Sequence, residues 1–216
     1  MKLTYFDGRG LAETSRIILA INDAEYEDFR YPMKVNDWKT HDIEKKEFDD
    51  DKANGKLSKS LNKVPFLLDN GIIISQSKTI ERYLARKFNM MGDTESEHAI
   101  IDSICEWVRD FKDAYQKIRH IDEEKKEDAM NEWFNKTLVE RFLLLEHILG
   151  EEGHCVGNRL SLADVVLYSF ITQFFDNKEG ALNATNSAPK LRKIIDTVSG
   201  NDNLNKWLER RPNTCF

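Results

Sequence analysis

The means by which small proteins staple themselves together are scarce in this chain. Its three cysteines, Cys105, Cys155 and Cys215, are odd in number, widely spaced and free of any CxxC pair, which fits reduced thiols rather than a disulfide framework. The five histidines form no HxxxH or HExxH pair, so no metal site is expected. No window approaches the roughly 18 apolar residues of a membrane span. The opening MKLTYFDGRG has neither the basic start nor the apolar run of a signal peptide. A cytoplasmic protein with no membrane partner is the expectation. Positive charge is not in excess: 32 Lys and Arg stand against 38 Asp and Glu, a net charge of -6. A polyphosphate would meet net repulsion, so nucleic acid is not an expected partner. Internal repeats and low-complexity tracts are also missing.

With 216 residues, the chain is long enough for one large or two small domains with substantial cores. Its first part mixes strand and helix signals. The β-prone run Lys2 to Phe6 is followed by the chain-breaking Asp7-Gly8-Arg9-Gly10. Leu11, Ala12, Ser15, Ile18 and Leu19 then share one helical face. Tyr26 to Tyr31 is a second β-prone run, which completes a βαβ unit with a right-handed crossover. Residues 36–62 are rich in Lys and Asp and read as a solvated loop or frayed helix, with Trp38 out of place in it. Two apolar runs, Phe66 to Leu68 and Ile72 to Ile74, flank Asn70-Gly71, whose tolerance of positive φ predicts an antiparallel hairpin. Ser77 is placed to cap a helix carrying Ile80, Tyr83, Leu84 and Phe88.

Beyond Gly92 the pattern is wholly helical. Thr94 and Glu97 have capping-box spacing, and Ile101, Ile104, Val108, Phe111, Tyr115 and Ile118 follow in steps of three and four. A second long helix is predicted from about Glu124 to Leu149, with Phe134, Leu138, Phe142 and Leu145 inward. Ser161 and Asp164 form another capping box, whose work is structural. The predicted organisation is an α/β domain over residues 1–89, ordered β-α-β-loop-β-β-α, and an all-α domain over 90–216.

This order of elements, with Val64-Pro65 leading into the hairpin, resembles the thioredoxin-like plus helical plan of the cytosolic glutathione transferases. Lys2-Leu-Thr-Tyr-Phe6, Arg9-Gly10, Ala12-Glu13, Val64-Pro65, Gln76-Ser77, Asp110-Phe111, Ser161-xx-Asp164 and Trp207-Leu208-xx-Arg211-Pro212 are similar to the motifs of the sigma-like, tyrosine-using class. The likeness spans nearly the whole chain, excepting residues 36–62. It implies a homodimeric enzyme that joins the thiolate of glutathione, a co-substrate rather than a bound cofactor, to small hydrophobic electrophiles.

The chemistry such an enzyme needs is depression of a thiol pKa, because a free cysteine-type thiol, with a pKa of about 8.5, is mostly protonated at neutral pH. A tyrosine hydroxyl, with a pKa near 10, can donate to sulfur without itself ionising, and the resemblance assigns that role to Tyr5. No cysteine precedes Cys105, and the first serine is Ser15, so the cysteine-using and serine-using alternatives lack their residue. The resemblance further implies a cis Val64-Pro65 bond with the Val64 main chain pairing to glutathione. It implies Gln76 and Ser77 at the γ-glutamyl carboxylate, Trp38 and a nearby lysine at the glycine end, with Lys39, Lys45 and Lys46 all open, and Lys63 close to the Val64 contact. Asp110 would reach glutathione in the neighbouring subunit, and Phe6, Tyr115 and Phe216 would line the electrophile pocket.

Two departures stand out. Leu11 occupies the place of an arginine near the thiolate, with Arg9 and Arg16 as possible substitutes. Lys117 falls where prostaglandin D synthases carry a tryptophan, which disfavours prostaglandin isomerisation. A binding or structural protein on the same fold, and a glutathione-dependent peroxidase, are the rival readings. Retention of Tyr5, Gln76 and Ser77 argues for catalysis.

Overall fold

The computed structural model describes every residue except Trp38, Lys39, His41, Cys215 and Phe216. The chain divides into two compact units. One is Met1–Leu84 together with the C-terminal segment that starts at Lys206, and the other is Ala85–Asn205. The return of the C-terminal segment to the first unit is not visible in the sequence pattern.

The first unit is built on a four-stranded sheet of order β2-β1-β5-β6, formed by β1 (Lys2–Phe6), β2 (Glu27–Tyr31), β5 (Phe66–Asp69) and β6 (Ile72–Ser75). β1 runs parallel to β2 and antiparallel to β5. Helix α1 (Glu13–Ile21) makes the crossover between β1 and β2, as the βαβ reading expects. The β5–β6 hairpin turns at Asn70 and Gly71, with φ of 49° and 79°, the positive values that this residue pair tolerates.

Residues 36–62 correct the loop expectation. β3 (Lys34–Asp37) pairs antiparallel with β4 (Asp42–Glu44), and α2 (Lys46–Ala53) follows. A single apolar residue docks this charged helix: Phe48 is buried, with its ring centroid 5.0 Å from Phe6 and 5.5 Å from Tyr31. The Tyr31 hydroxyl donates to Asp51 Oδ2 at 2.9 Å. Lys45 pairs with Asp49 and Lys46 with Asp50 along the exposed side.

α3 (Ser77–Lys87) follows β6 and crosses from the first unit into the second. The second unit is helical: α4 (Glu95–Arg119), α5 (Glu123–Glu132), α6 (Leu138–Glu146), α7 (Leu162–Ser169), α8 (Lys178–Asn183), α9 (Pro189–Ser199) and the start of α10 (Asp202–Arg210). Both predicted capping boxes form. Thr94 and Glu97 open α4, while the Asp164 carboxylate takes Ser161 N–H and hydroxyl at 2.6 Å each to open α7. The predicted single helix from Glu124 to Leu149 is instead interrupted by a π turn at Trp133–Thr137 and ends at Glu146. A regular helix turns adjacent side chains about 100° apart. The wider turn draws both Trp133 and Phe134 into the core.

Candidate active site

β1 delivers Tyr5 to the edge of the turn Asp7–Gly10, half-buried. The Tyr5 hydroxyl accepts the Leu11 backbone N–H at 3.2 Å. A phenol is both donor and acceptor, so this contact fixes the oxygen and leaves its proton available to donate. Gly10 makes the approach possible. Its φ is +38°, and a Cβ there would lie 2.6 Å from the Tyr5 oxygen. No side chain fits between the turn and the ring.

Below the ring lies Arg16, fully buried, with its guanidinium 5.9 Å from the Tyr5 centroid. It donates to the Gly8 carbonyl at 2.6 Å and to Asp28 Oδ1 at 3.1 Å, and lies 3.6 Å from the buried Glu13 carboxylate. Glu13 in turn bonds Arg211, 198 positions away. Arg16 thus ties the turn after β1 to β2 from beneath. Its charge is committed to Asp28 and Glu13, so it is no free replacement for a cation at position 11. Leu11 is 59% exposed.

Sequence reasoning named Arg16 only as a possible cation near the thiolate and missed the Glu13–Arg211 link altogether. The signal for the first was an arginine on the buried face of α1. The second joins residues too distant for any local pattern.

The second edge of the site lies at Val64-Pro65, a cis peptide bond. Val64 packs against the cluster of Tyr31, Phe48 and Leu57, as does Phe6. Phe6 therefore belongs to the core of its unit on at least one face. Lys63 is exposed, and its backbone N–H donates to the Ser60 carbonyl at 3.2 Å. Gln76, at φ 73°, directs its carbonyl along α3 to accept Thr79 and Ile80 N–H at 2.9 and 3.0 Å. Gln76 therefore holds the cap position and Ser77 is the first helical residue, so the helix begins one residue earlier than the sequence expectation, which made Ser77 the cap. Both remain at the positive end of a helix dipole, where a carboxylate is favoured.

Asp110 stands on the exposed side of α4. With Asp102, Ser103, Glu106 and the 51% exposed Trp107 it lines a shallow cavity of about 360 Å³. Tyr115 is only 2% exposed and sits among aromatic rings, 4.8 Å from Phe175 and 5.5 Å from Trp133 between centroids. Burial raises its hydroxyl pKa. Its side chain is a core element of the helical unit. Trp38, Lys39 and Phe216 lie outside the described residues. Lys117 is exposed on α4. Among the described residues no group of acidic, histidine or cysteine side chains is arranged to hold a metal ion, and no helix is long and apolar enough to cross a membrane.

Comparison with known proteins places the chain in a family. Residues 1–86 match the Glutathione S-transferase, N-terminal domain family, and residues 109–211 match the Glutathione S-transferase, C-terminal domain family. The chain is 33% identical over 223 residues to Glutathione S-transferase 3 of Caenorhabditis elegans, covering 100% of this chain and 98% of the relative. It is 30% identical over 215 residues to hematopoietic prostaglandin D synthase of Gallus gallus, with 100% and 98% covered. Among solved structures, monomeric Na-GST-3 of the hookworm Necator americanus superposes with a TM-score of 0.78 at 29% identity, again over 100% and 98% of the two chains. With both domains matched and relatives aligned over their full length, the chain belongs to the glutathione S-transferase family of enzymes, which use glutathione as co-substrate.

Proposed function

We propose that this protein conjugates the glutathione thiolate to small hydrophobic electrophiles and belongs to the sigma-like, tyrosine-using class. The observation that carries the reading is the Tyr5 hydroxyl. Its oxygen is held by Leu11 N–H, and among the described residues its proton has no protein acceptor. A sulfur seated against it would accept that hydrogen bond, which favours thiolate over thiol. The thiolate then attacks the electrophilic carbon, forming a C–S bond as the leaving group departs or as the pair of electrons moves into an activated double bond.

In this reading the Val64 main chain pairs with the cysteinyl unit, while Ser77 and Gln76 receive the γ-glutamyl carboxylate. Trp38 and one of Lys39, Lys45 and Lys46 serve the glycine end, with Lys63 beside the Val64 contact. Phe6 presents its free edge to the electrophile. With Leu11 apolar and Arg16 committed beneath the ring, hydrogen bonding by Tyr5 carries more of the thiolate stabilisation than in a site with an arginine at position 11. Prostaglandin D synthesis, the activity named for the Gallus relative, is not proposed, because the exposed Lys117 stands where the resemblance implies a tryptophan in such enzymes.

Conjugation of a generic chloronitrobenzene tests the core of the proposal. Tyr5→Phe removes a hydrogen bond to a charged group, worth about 1.5–3 kcal/mol. The expected loss is about ten- to a hundred-fold in kcat/KM at pH 7, with glutathione affinity changed far less. Full activity in Tyr5→Phe refutes the role given to Tyr5, and a wild type that neither binds glutathione nor conjugates refutes the enzyme reading.

The reading includes a cytoplasmic homodimer in which Asp110 of one protomer completes its partner's glutathione site. Exposure of Trp107 and Asp110 on one side of α4 supports it. Sedimentation at micromolar concentration should give a dimer that Trp107→Glu converts to monomer; a wild-type monomer, the state named for the hookworm relative, rules the dimer out.

A further inference from the structure

The first unit holds a second polar cleft that the glutathione site does not use. It has a volume of about 240 Å³ and is lined by Arg9 from the turn after β1 and by Leu208, Glu209, Arg211, Pro212, Asn213 and Thr214 from the C-terminal segment. We infer that this cleft is a subsite for the carboxylate of an anionic electrophile, bound by Arg9; the inference rests on the transferase reading for the word electrophile, and on Arg9 alone for the anion.

Arg9 differs from the arginines around it. Arg16 holds Asp28, Arg30 holds Asp28 and Asp7, and Arg211 holds Glu13 while stacking on Trp207 at 5.3 Å. Arg9 is half-buried with its Nε inaccessible and without a partner, and among the described residues it makes no ion pair. A guanidinium N–H withdrawn from water and left unpaired is costly, and an anion held by the rest of the guanidinium in the cleft offsets that cost through the shared charge. Arg211 brings no further net charge because Glu13 already neutralises it. One uncommitted positive charge, with the Asn213 amide in the same lining, suits a monoanion better than a phosphate dianion. The exposed Glu209 carboxylate, which also lines the cleft, disfavours dianions further.

Location supplies the link to the chemistry. Arg9 precedes Leu11 by two residues, and Leu11 N–H is the group that holds the Tyr5 hydroxyl. Two residues span at most about 7 Å, so an acid anchored on Arg9 needs only a stem of several carbons to approach Tyr5. Leu208 and Pro212 in the lining offer apolar surface for that stem. At roughly 30 Å³ per water, the cleft holds about eight water-sized groups, enough for a carboxylate and a short chain.

Titration calorimetry of the full chain with 4-phenylbutanoate and with its methyl ester tests the site without requiring turnover. The acid should bind wild type at least about ten-fold more tightly than the ester, the scale of a charge-assisted hydrogen bond. Arg9→Gln should abolish that preference, and Arg9→Lys, which keeps the charge, should restore part of it. Equal affinities for acid and ester in wild type, or a preference that survives in Arg9→Gln, overturns the inference. A wild type that prefers the acid yet conjugates no electrophile supports the Arg9 site and sinks the transferase reading instead.

Discussion

The two units bury different chemistry. Around Arg16 the first unit encloses charge: Arg16 and Glu13 are 0% and 3% exposed, tied to Asp28, the Gly8 carbonyl and Arg211. The helical unit encloses rings. Tyr115, Trp133, Phe134, Phe170 and Phe175 form ring contacts with centroids 4.8 to 5.9 Å apart, several edge to face. Apolar packing is the cheaper way to stabilise a fold, since desolvating an ion pair can cost more than its attraction returns. The buried charges of the first unit therefore call for a local reason, and the turn that carries Gly8, Gly10 and Leu11 provides one. Arg16 fixes that turn through Gly8 while packing beneath the ring of Tyr5.

The sharpest test of this contrast removes Arg16. Arg16→Ala takes one of two cationic partners from each of Asp28 and Glu13, which keep Arg30 and Arg211, and removes the buried donor to the Gly8 carbonyl. The cost should approach about 3–5 kcal/mol, that of a broken buried pair, read as a large fall in the urea midpoint of the first unit. An apolar exchange in the helical core, Leu138→Met, should cost under about 1.5 kcal/mol. Comparable losses in the two variants would show that the charged cluster is no more specifically arranged than the aromatic one.

A smaller substitution separates positioning from stability. In Gly10→Ala the new methyl meets the Tyr5 oxygen at 2.6 Å and sits at a φ of +38°. The backbone strain is worth about 1–2 kcal/mol, but the hydroxyl must also move away from the place where sulfur is expected. Conjugation should fall by more than the modest drop in melting temperature accounts for, with kcat affected more than the KM for glutathione. Unchanged kcat would mean that the hydroxyl tolerates displacement and that the turn serves folding alone.

The same contrast explains what could be read from the sequence. The helical unit was legible because its signals are local: capping boxes at Thr94 and Ser161, and inward residues at steps of three and four along α4. The β5–β6 hairpin was legible from Asn70-Gly71. The π turn at Trp133 was not, since two adjacent aromatics break the period that predicts a helix. Tyr5, Val64, Gln76 and Ser77 were named through motif resemblance, whereas the groups that hold the turn beneath Tyr5 join Gly8, Asp28 and Arg211, which no spacing rule connects. Helix α2 was hidden for a different reason. Its seven polar or small residues around Phe48 look solvated, and they are, while one ring and one hydroxyl do the docking.

That docking gives the smallest effect and the clearest pH signature. Burial, then the hydrogen bond to Asp51, pushes the Tyr31 hydroxyl up to about 12 from an ordinary value of 10.0. The unfolded chain releases this proton near pH 10 while the folded chain keeps it, so the stabilisation is complete below pH 10 and is lost as pH rises toward 12. Tyr26, also pushed to about 12 by burial and then by the Asp28 charge, contributes in the same direction. Tyr31→Phe should therefore lower stability at pH 7 by about 1 kcal/mol and flatten, without removing, the decline between pH 10 and 12. On the acid side, Asp51 is held below the ordinary carboxylate range first by Lys56 and then by Tyr31, so its NMR titration should move up in the variant. An unshifted Asp51 and an unchanged alkaline slope would mean that α2 is held by the Phe48 ring alone.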